Sequence, residues 1–146
     1  MKKCTLFIWA FVWFFSACAK YEEGPWMSLQ SKAKRLKGSW VVEQAFDLED
    51  NSYLSEFEGQ TYTFDKEGNL SIRFTQAGNP QTIQGRWQFI DLKDGLRWIL
   101  EADSLRLDSL SFPYDSLVEF DILRLAQGDL RLIDPLNRRL FFSKSD

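Results

Sequence analysis

Between Gln81 and Ile90 the chain alternates in register: Ile83, Gly85, Trp87 and Phe89 fall on one face, and Thr82, Gln84, Arg86 and Gln88 on the other. Successive strand residues point to opposite sides of a sheet, so such a run has one face for a core and one for water. Parallel strands are covered on both faces and read as continuous apolar runs, so this alternation specifies an antiparallel sheet. The pattern recurs. Thr61 to Asp65 sets Tyr62 and Phe64 against threonines, and Leu70 to Thr75 sets Leu70, Ile72 and Phe74 against Ser71 and Arg73. Leu96, Trp98 and Leu100 alternate after Asp94-Gly95. Leu117 to Ala126, Leu130 to Ile133 and Arg139 to Ser143 follow, with turn residues between them.

Two stretches are less regular. Ser39 to Phe46 puts Trp40, Val42 and Phe46 on one face, with Gln44 interrupting it; either Gln44 is a buried polar contact or the strand bulges there. Ser104 to Leu110 reads as a further strand, in which Leu105, Leu107 and Leu110 break the alternation and imply a bulge. Ahead of the first strand, Ser28 to Leu36 reads as a short helix with Ser28 as N-cap. The expected fold is all-β, an eight- to nine-stranded antiparallel up-and-down barrel with a short N-terminal helix. A meander of this size protects its edges best by closing on itself.

The first strand opens as Leu36-Lys37-Gly38-Ser39-Trp40. A short helix followed by Gly-x-Trp at the head of an eight-stranded meander resembles the lipocalin signature. More narrowly, the chain is similar to the lipocalin-like domains of small lipoproteins from Bacteroidota. The second lipocalin motif, Thr-Asp-Tyr, has no counterpart. The resemblance implies that Gly38 and Trp40 close one end of the barrel, with the Trp40 ring under an arginine from a late strand. Arg124, Arg131, Arg138 and Arg139 are the candidates for that arginine.

The N-terminus has a different grammar. Lys2 and Lys3 precede an unbroken apolar run of ten residues, Leu6 to Phe15, and Phe15-Ser16-Ala17-Cys18 follows. This is the layout of a secretory signal, and the run is short of the roughly 20 apolar residues that span a bilayer as a helix. A cysteine directly after the small pair resembles a bacterial lipobox. The resemblance implies cleavage after Ala17 and acylation of Cys18. The expected organisation is a signal peptide over 1–17, an acylated N-terminus and tether over 18–27, and the barrel over 28–146. Cys18-Ala19-Lys20-Tyr21-Glu22-Glu23 is similar to the Lys-plus-acidic signals of Bacteroidota surface lipoproteins, though a plain solvated tether is the better reading. The expected address is the outer membrane, on its periplasmic face or at the cell surface.

Cleavage of the first 17 of 146 residues leaves 129, about one domain. Loss of Lys2 and Lys3 takes the net charge from −3 to −5, which argues against a nucleic-acid partner, since that needs a basic footprint. Of the two cysteines, Cys4 leaves with the signal and Cys18 carries lipid, so no disulfide and no free thiol are expected. Histidine is absent. Ser-His and Cys-His nucleophile systems are therefore unavailable, and so is ordinary zinc, copper or haem ligation. No catalytic residue, metal ligand or cofactor is assigned. Asp47-Leu48-Glu49-Asp50-Asn51 could offer oxygens to calcium, but it lacks the glycine and ligand ladder of a dedicated loop and reads better as a solvated acidic loop. Lys32, Lys34, Arg35 and Lys37 form a basic cluster that could touch anionic headgroups or simply solubilise a helix face.

Nine rings fall on apolar strand faces: Trp40, Phe46, Tyr62, Phe64, Phe74, Trp87, Phe89, Trp98 and Phe120. In a ligand-carrying barrel they line a pocket; in a filled one they are core. An eight-stranded barrel has room for its side chains or one small ligand. The candidate ligand contacts are Gln44, Tyr62, Phe64, Trp87 and Trp98. The expected function is binding of a small apolar ligand in a lipid-anchored barrel. The alternative is a filled barrel acting as a non-catalytic accessory module for an envelope protein partner.

Overall fold

One hydrogen-bonding device recurs at three of the chain's turns. Asp65 Oδ1 accepts from the backbone N–H of Glu67 and Asn69 at 2.9 and 2.7 Å, while Oδ2 accepts from the Asn69 amide at 2.5 Å. Asp47 repeats this with Glu49 and Asn51. Asp134 accepts from the backbone N–H of Leu136 and Arg138, both at 2.9 Å. Each turn needs a left-handed residue three positions after the aspartate, supplied by Gly68, Asp50 and Asn137. Asp, Asn and Gly tolerate that region with little strain, so these sequences close tight turns without help from the core.

The computed structural model describes residues 31–109 and 112–145. Ala17, Cys18 and the proposed N-cap Ser28 lie outside them, as does the whole 1–17 and 18–27 organisation. Among the described residues, eight strands form one closed antiparallel barrel in sequence order: β1 (Gly38–Phe46), β2 (Thr61–Phe64), β3 (Asn69–Gln76), β4 (Asn79–Ile90), β5 (Gly95–Leu100), β6 (Leu117–Ala126), β7 (Asp129–Ile133) and β8 (Arg139–Lys144). β8 returns to pair with β1, Val42 opposite Phe142. A short helix, α1 (Lys32–Leu36), precedes the barrel, and a second, α2 (Ser104–Ser109), lies between β5 and β6.

Eight of the nine expected runs are strands. The ninth, Ser104 to Leu110, corrects the reading: its described part is α2. The Asp103 carboxylate accepts from the Arg106 N–H at 2.8 Å and caps the first turn. Leu107 is buried and Leu105 exposed, a helical rather than a strand-like division. α1 begins later than expected within the described residues, with Ser31 accepting from the Lys34 N–H as its cap.

Two bulges adjust which residues face inward. In β1 the register shifts between Val42 and Gln44. Trp40, Val42 and Ala45 are buried, Gln44 is exposed, and Phe46 packs edge-on against Phe141 with centroids 6.4 Å apart. In β6 a shift between Ile122 and Arg124 brings Leu125 inward in place of Arg124. One extra residue re-aims everything beyond it, because the side-chain period is two.

The barrel has two unlike ends. α1 and the turns 65–68, 91–94 and 127–128 lie at one. The segments 47–60, 77–78, 101–109, 112–116 and 134–138 lie at the other. At the first end, Trp40 Nε1 donates to the Leu36 carbonyl at 2.7 Å and Arg35 Nη1 to the Leu125 carbonyl at 2.5 Å, so α1 is stapled across the opening.

Candidate functional site at the open end

Each candidate residue has a definite place. Trp98 is fully buried at the centre of the barrel, with its ring centroid 4.3 Å from Phe120, 5.4 Å from Tyr62, 5.9 Å from Phe64 and 6.3 Å from Tyr114. Aromatic pairs at these separations are in contact, and each is worth about 0.5–1.5 kcal/mol beyond its area burial. No ligand-sized space separates these rings. Trp98 Nε1 is buried and meets no hydrogen-bond acceptor among the described residues. Tyr62 donates its hydroxyl to Gln60 Oε1 at 2.5 Å, and burial holds its pKa well above the usual phenol range. Phe64 stands edge-on to Trp87 at 6.1 Å. Trp87 Nε1 donates to the Asp65 carbonyl at 3.2 Å, which fixes that ring toward the α1 end. Tyr62, Phe64, Trp87 and Trp98 are thus brought together, as one stack. Gln44 is not among them: the bulge turns it outward.

At the α1 end, Trp40 is buried and Gly38 adopts φ +130°, a conformation that favours glycine. The cation over the Trp40 ring is Lys144, with Nζ 5.3 Å from the centroid and donating to the Lys37 carbonyl at 3.0 Å. The expected arginine is therefore replaced by a lysine, supplied by the last strand. The basic cluster is also thinner than the sequence suggests. Arg35 is spent on Leu125, and Lys32 bonds the Lys93 carbonyl and Asp94, which leaves Lys34 and Lys37 exposed.

Arg138, one of the four expected candidates, does its work at the opposite end. The Asp134 turn places it, and Arg138 Nε donates to Asp134 Oδ2 at 2.7 Å, where the Asn51 and Asn69 amides sit in the sister turns. Its Nη1 donates to Glu56 Oε2 at 2.5 Å, reaching the segment between β1 and β2. The guanidinium carbon lies 5.3 Å from the Tyr53 ring centroid, 5.4 Å from Phe57 and 5.9 Å from Tyr114. Tyr114 closes the set by donating its hydroxyl to Asp134 Oδ2 at 3.1 Å. Burial opposes the arginine's charge, yet the bonds to Glu56 and Asp134 outweigh it and raise its pKa. Burial and the Asp134 carboxylate likewise push the Tyr114 hydroxyl up and keep it neutral. One buried cation so joins three separate segments into a plug over the ring stack.

Beside this plug lies a surface hollow of about 420 Å³. Its walls are Asp47, Leu48, Glu49, Tyr53 and Glu56 from one segment, Pro113 from the second, and Leu136 to Arg138 from the third. That volume falls within the few hundred Å³ usual for small-molecule sites. Among the described residues no three His, Cys, Asp or Glu side chains group as a metal ion requires. Both Asp47 oxygens are used on its own turn, so the loop considered for calcium is a self-satisfied turn.

Solved structures from two Bacteroides species resemble this barrel. The crystal structure of a lipocalin-like protein from Bacteroides uniformis superposes with TM-score 0.63 at 20% identity, covering 76% of this chain and 99% of that one. The fold is lipocalin-like. An uncharacterized protein from Bacteroides eggerthii matches with TM-score 0.59 at 14% identity, covering 75% of this chain and 99% of its own. No protein-family model and no curated protein matches the chain. Within this lipocalin-like barrel, the sequence alone missed the Arg138–Glu56–Tyr114 plug, whose members come together only through the loops. A signal was present in the recurrence of Asp followed three residues later by Gly, Asp or Asn, with arginine replacing asparagine only in the third copy.

Proposed function

We propose that this protein is a lipid-anchored envelope module whose lipocalin-like barrel holds a small ligand at its open end rather than along its axis. The observation that carries the reading is the occupation of the axis by Trp98 and its four ring neighbours, with the hollow of about 420 Å³ standing at the mouth instead. Two exposed leucines flank it, Leu48 at 74% and Leu136 at 63%. Apolar surface presented beside a concavity invites cover. The reading is non-catalytic: the chain has no histidine, and in this reading its cysteines are spent on the signal and the anchor. Acylation of Cys18, after cleavage behind Ala17, holds the chain at the outer membrane. The twelve residues between Cys18 and Ser31 span at most about 40 Å.

The test uses the full chain in lipid nanodiscs and a neutral environment-sensitive dye such as Nile red. Dye emission is expected to rise over that of empty discs, to be lost in Leu136→Asp and to survive in Trp98→Phe. Loss in Trp98→Phe with retention in Leu136→Asp moves the ligand to the axis and overturns the reading. The anchor has its own test: Cys18→Ser is expected to lose palmitate labelling and membrane fractionation, and retained label means another residue is acylated.

The filled axis also favours a second reading, an accessory module that meets an envelope partner through Leu48, Leu136 and the exposed Leu105 of α2. Crosslinking from intact membranes is expected to recover one consistent partner through those positions under this reading, and none under the first.

A further inference from the structure

The two ends of the barrel differ in charge. The described segments 47–60, 101–109, 112–116 and 134–138 at the open end carry ten acidic residues and two arginines. The segments 31–37, 65–68 and 91–94 at the α1 end carry six basic residues and four acidic ones. A concave site inside a field of one sign raises the local concentration of the opposite ion. The hollow is lined by Asp47, Glu49 and Glu56 against one cation, Arg138.

That arginine does not reverse the sign. Its Nε and Nη1 already meet Asp134 and Glu56 at 2.7 and 2.5 Å, so an anionic ligand would have to displace a carboxylate to use them. Arg138 is 4% exposed, and its Nη2 meets no acceptor. That nitrogen is itself buried, so it is not presented to a ligand in the hollow. Glu49, by contrast, is exposed and its carboxylate accepts no hydrogen bond from any described residue. Leu48, Pro113, Leu136 and Tyr53 supply apolar surface around these carboxylates.

We propose that the hollow takes a small organic cation, an amine joined to an apolar body, with Glu49 and Glu56 facing the ammonium group and Leu48, Leu136 and Pro113 covering the apolar part. This rests on the open-end reading of the site and adds the class of its ligand. Carboxylates exposed in a partly desolvated hollow attract an ammonium group only modestly each, so discrimination comes from their combination with apolar contact.

The experiment compares three isosteres, 4-phenylbutylamine, 4-phenylbutanol and 4-phenylbutyrate, titrated into the full chain in nanodiscs of neutral lipid, with empty discs subtracted. Saturation-transfer NMR and calorimetry are the readouts. The amine is expected to bind about tenfold tighter than the butyrate at low salt, with the gap closing near about 0.5 M salt as screening sets in. Glu49→Gln is expected to weaken the amine and leave the alcohol unchanged. Equal binding of all three overturns the cation assignment and leaves the hollow as the ligand site. Tighter binding of the butyrate also overturns it, and assigns recognition to Arg138. If none of the three binds while Nile red still does, the cation class fails alone; if neither binds, the open-end reading fails with it.

Discussion

Arg138 Nε meets Asp134 Oδ2 at 2.7 Å in the place that the Asn69 amide takes beside Asp65. The arginine therefore does two jobs, one local and one across the barrel mouth. Arg138→Met removes both and leaves the buried Asp134 carboxylate with no cation, at a cost of about 3–5 kcal/mol. Arg138→Asn restores the local bond as in the sister turn and loses only the reach to Glu56 and the rings. Urea denaturation is expected to rank wild type above Arg138→Asn and Arg138→Asn above Arg138→Met. Equal losses in the two variants would show that the turn bond contributes nothing of its own.

Lys144 covers Trp40 at the other end. Lys144→Met keeps the aliphatic stem but removes the cation and the bond to the Lys37 carbonyl. A partly exposed cation–π pair is worth about 0.5–1 kcal/mol, so the variant is expected to lose about 1 kcal/mol, while Lys144→Arg stays near wild type. A thermal-melt comparison in which both variants match wild type would remove the lysine from the closure.

Gly85 stands opposite Leu100 in the ladder. A Cβ there would lie 2.6 Å from the Ile99 carbonyl oxygen and 3.0 Å from the Leu100 Cα, both backbone atoms. Backbone in a closed barrel moves only with its neighbours, so Gly85→Ala is expected to cost about 1–3 kcal/mol. By contrast, no atom lies within 4 Å of the Cβ position of Gly78, and the penalty of Gly78→Ala is confined to its left-handed φ. Equal losses in the two variants would count against the close approach.

The Asp47 turn carries a pH signature. The Asn51 side-chain amide, together with the backbone N–H groups of Asn51 and Glu49, holds the Asp47 carboxyl below its ordinary value of 3.8 against a desolvation that works the other way. A folded-state pKa below the unfolded one gives stabilisation that is complete above the unfolded value and disappears as pH falls through the folded one. The Glu49 and Asn51 amide protons are expected to stay protected from exchange above about pH 4 and to lose protection in more acid solution. Protection unchanged down to about pH 2 would refute the role of the carboxylate.

The barrel was legible because its strands obey one rule, inward and outward in turn, and Gln81 to Ile90 obeys it for ten residues. The rule fails where the backbone adds a residue. At Gln44 the sequence left a buried polar group and a bulge as equal readings, and only the register with β8 separates them. Leu105 and Leu107 stand two apart, as in a strand, yet the Asp103 cap starts a helix that buries one and exposes the other. The plug was out of reach for another reason. Arg138 and Glu56 are 82 residues apart, and no local pattern encodes a contact between two loops. Lys144 was passed over because the resemblance directs attention to arginine, while the chemistry of a cation over a ring admits lysine as well.

The pairing of β8 with β1 has a kinetic consequence. Glu43 and Ser143 meet across a separation of 100 residues, so the ring closes only after nearly the whole chain is available. Contacts this distant in sequence are the slow step in forming a β protein, and the loop entropy they must overcome is set by length rather than by any one side chain. A chain cut short of Arg139 keeps the hairpins from β1 to β7 but loses the β7–β8 hairpin together with the β8–β1 seam that makes the strands a single cooperative unit. Folding here is expected to be decided at its last six strand residues.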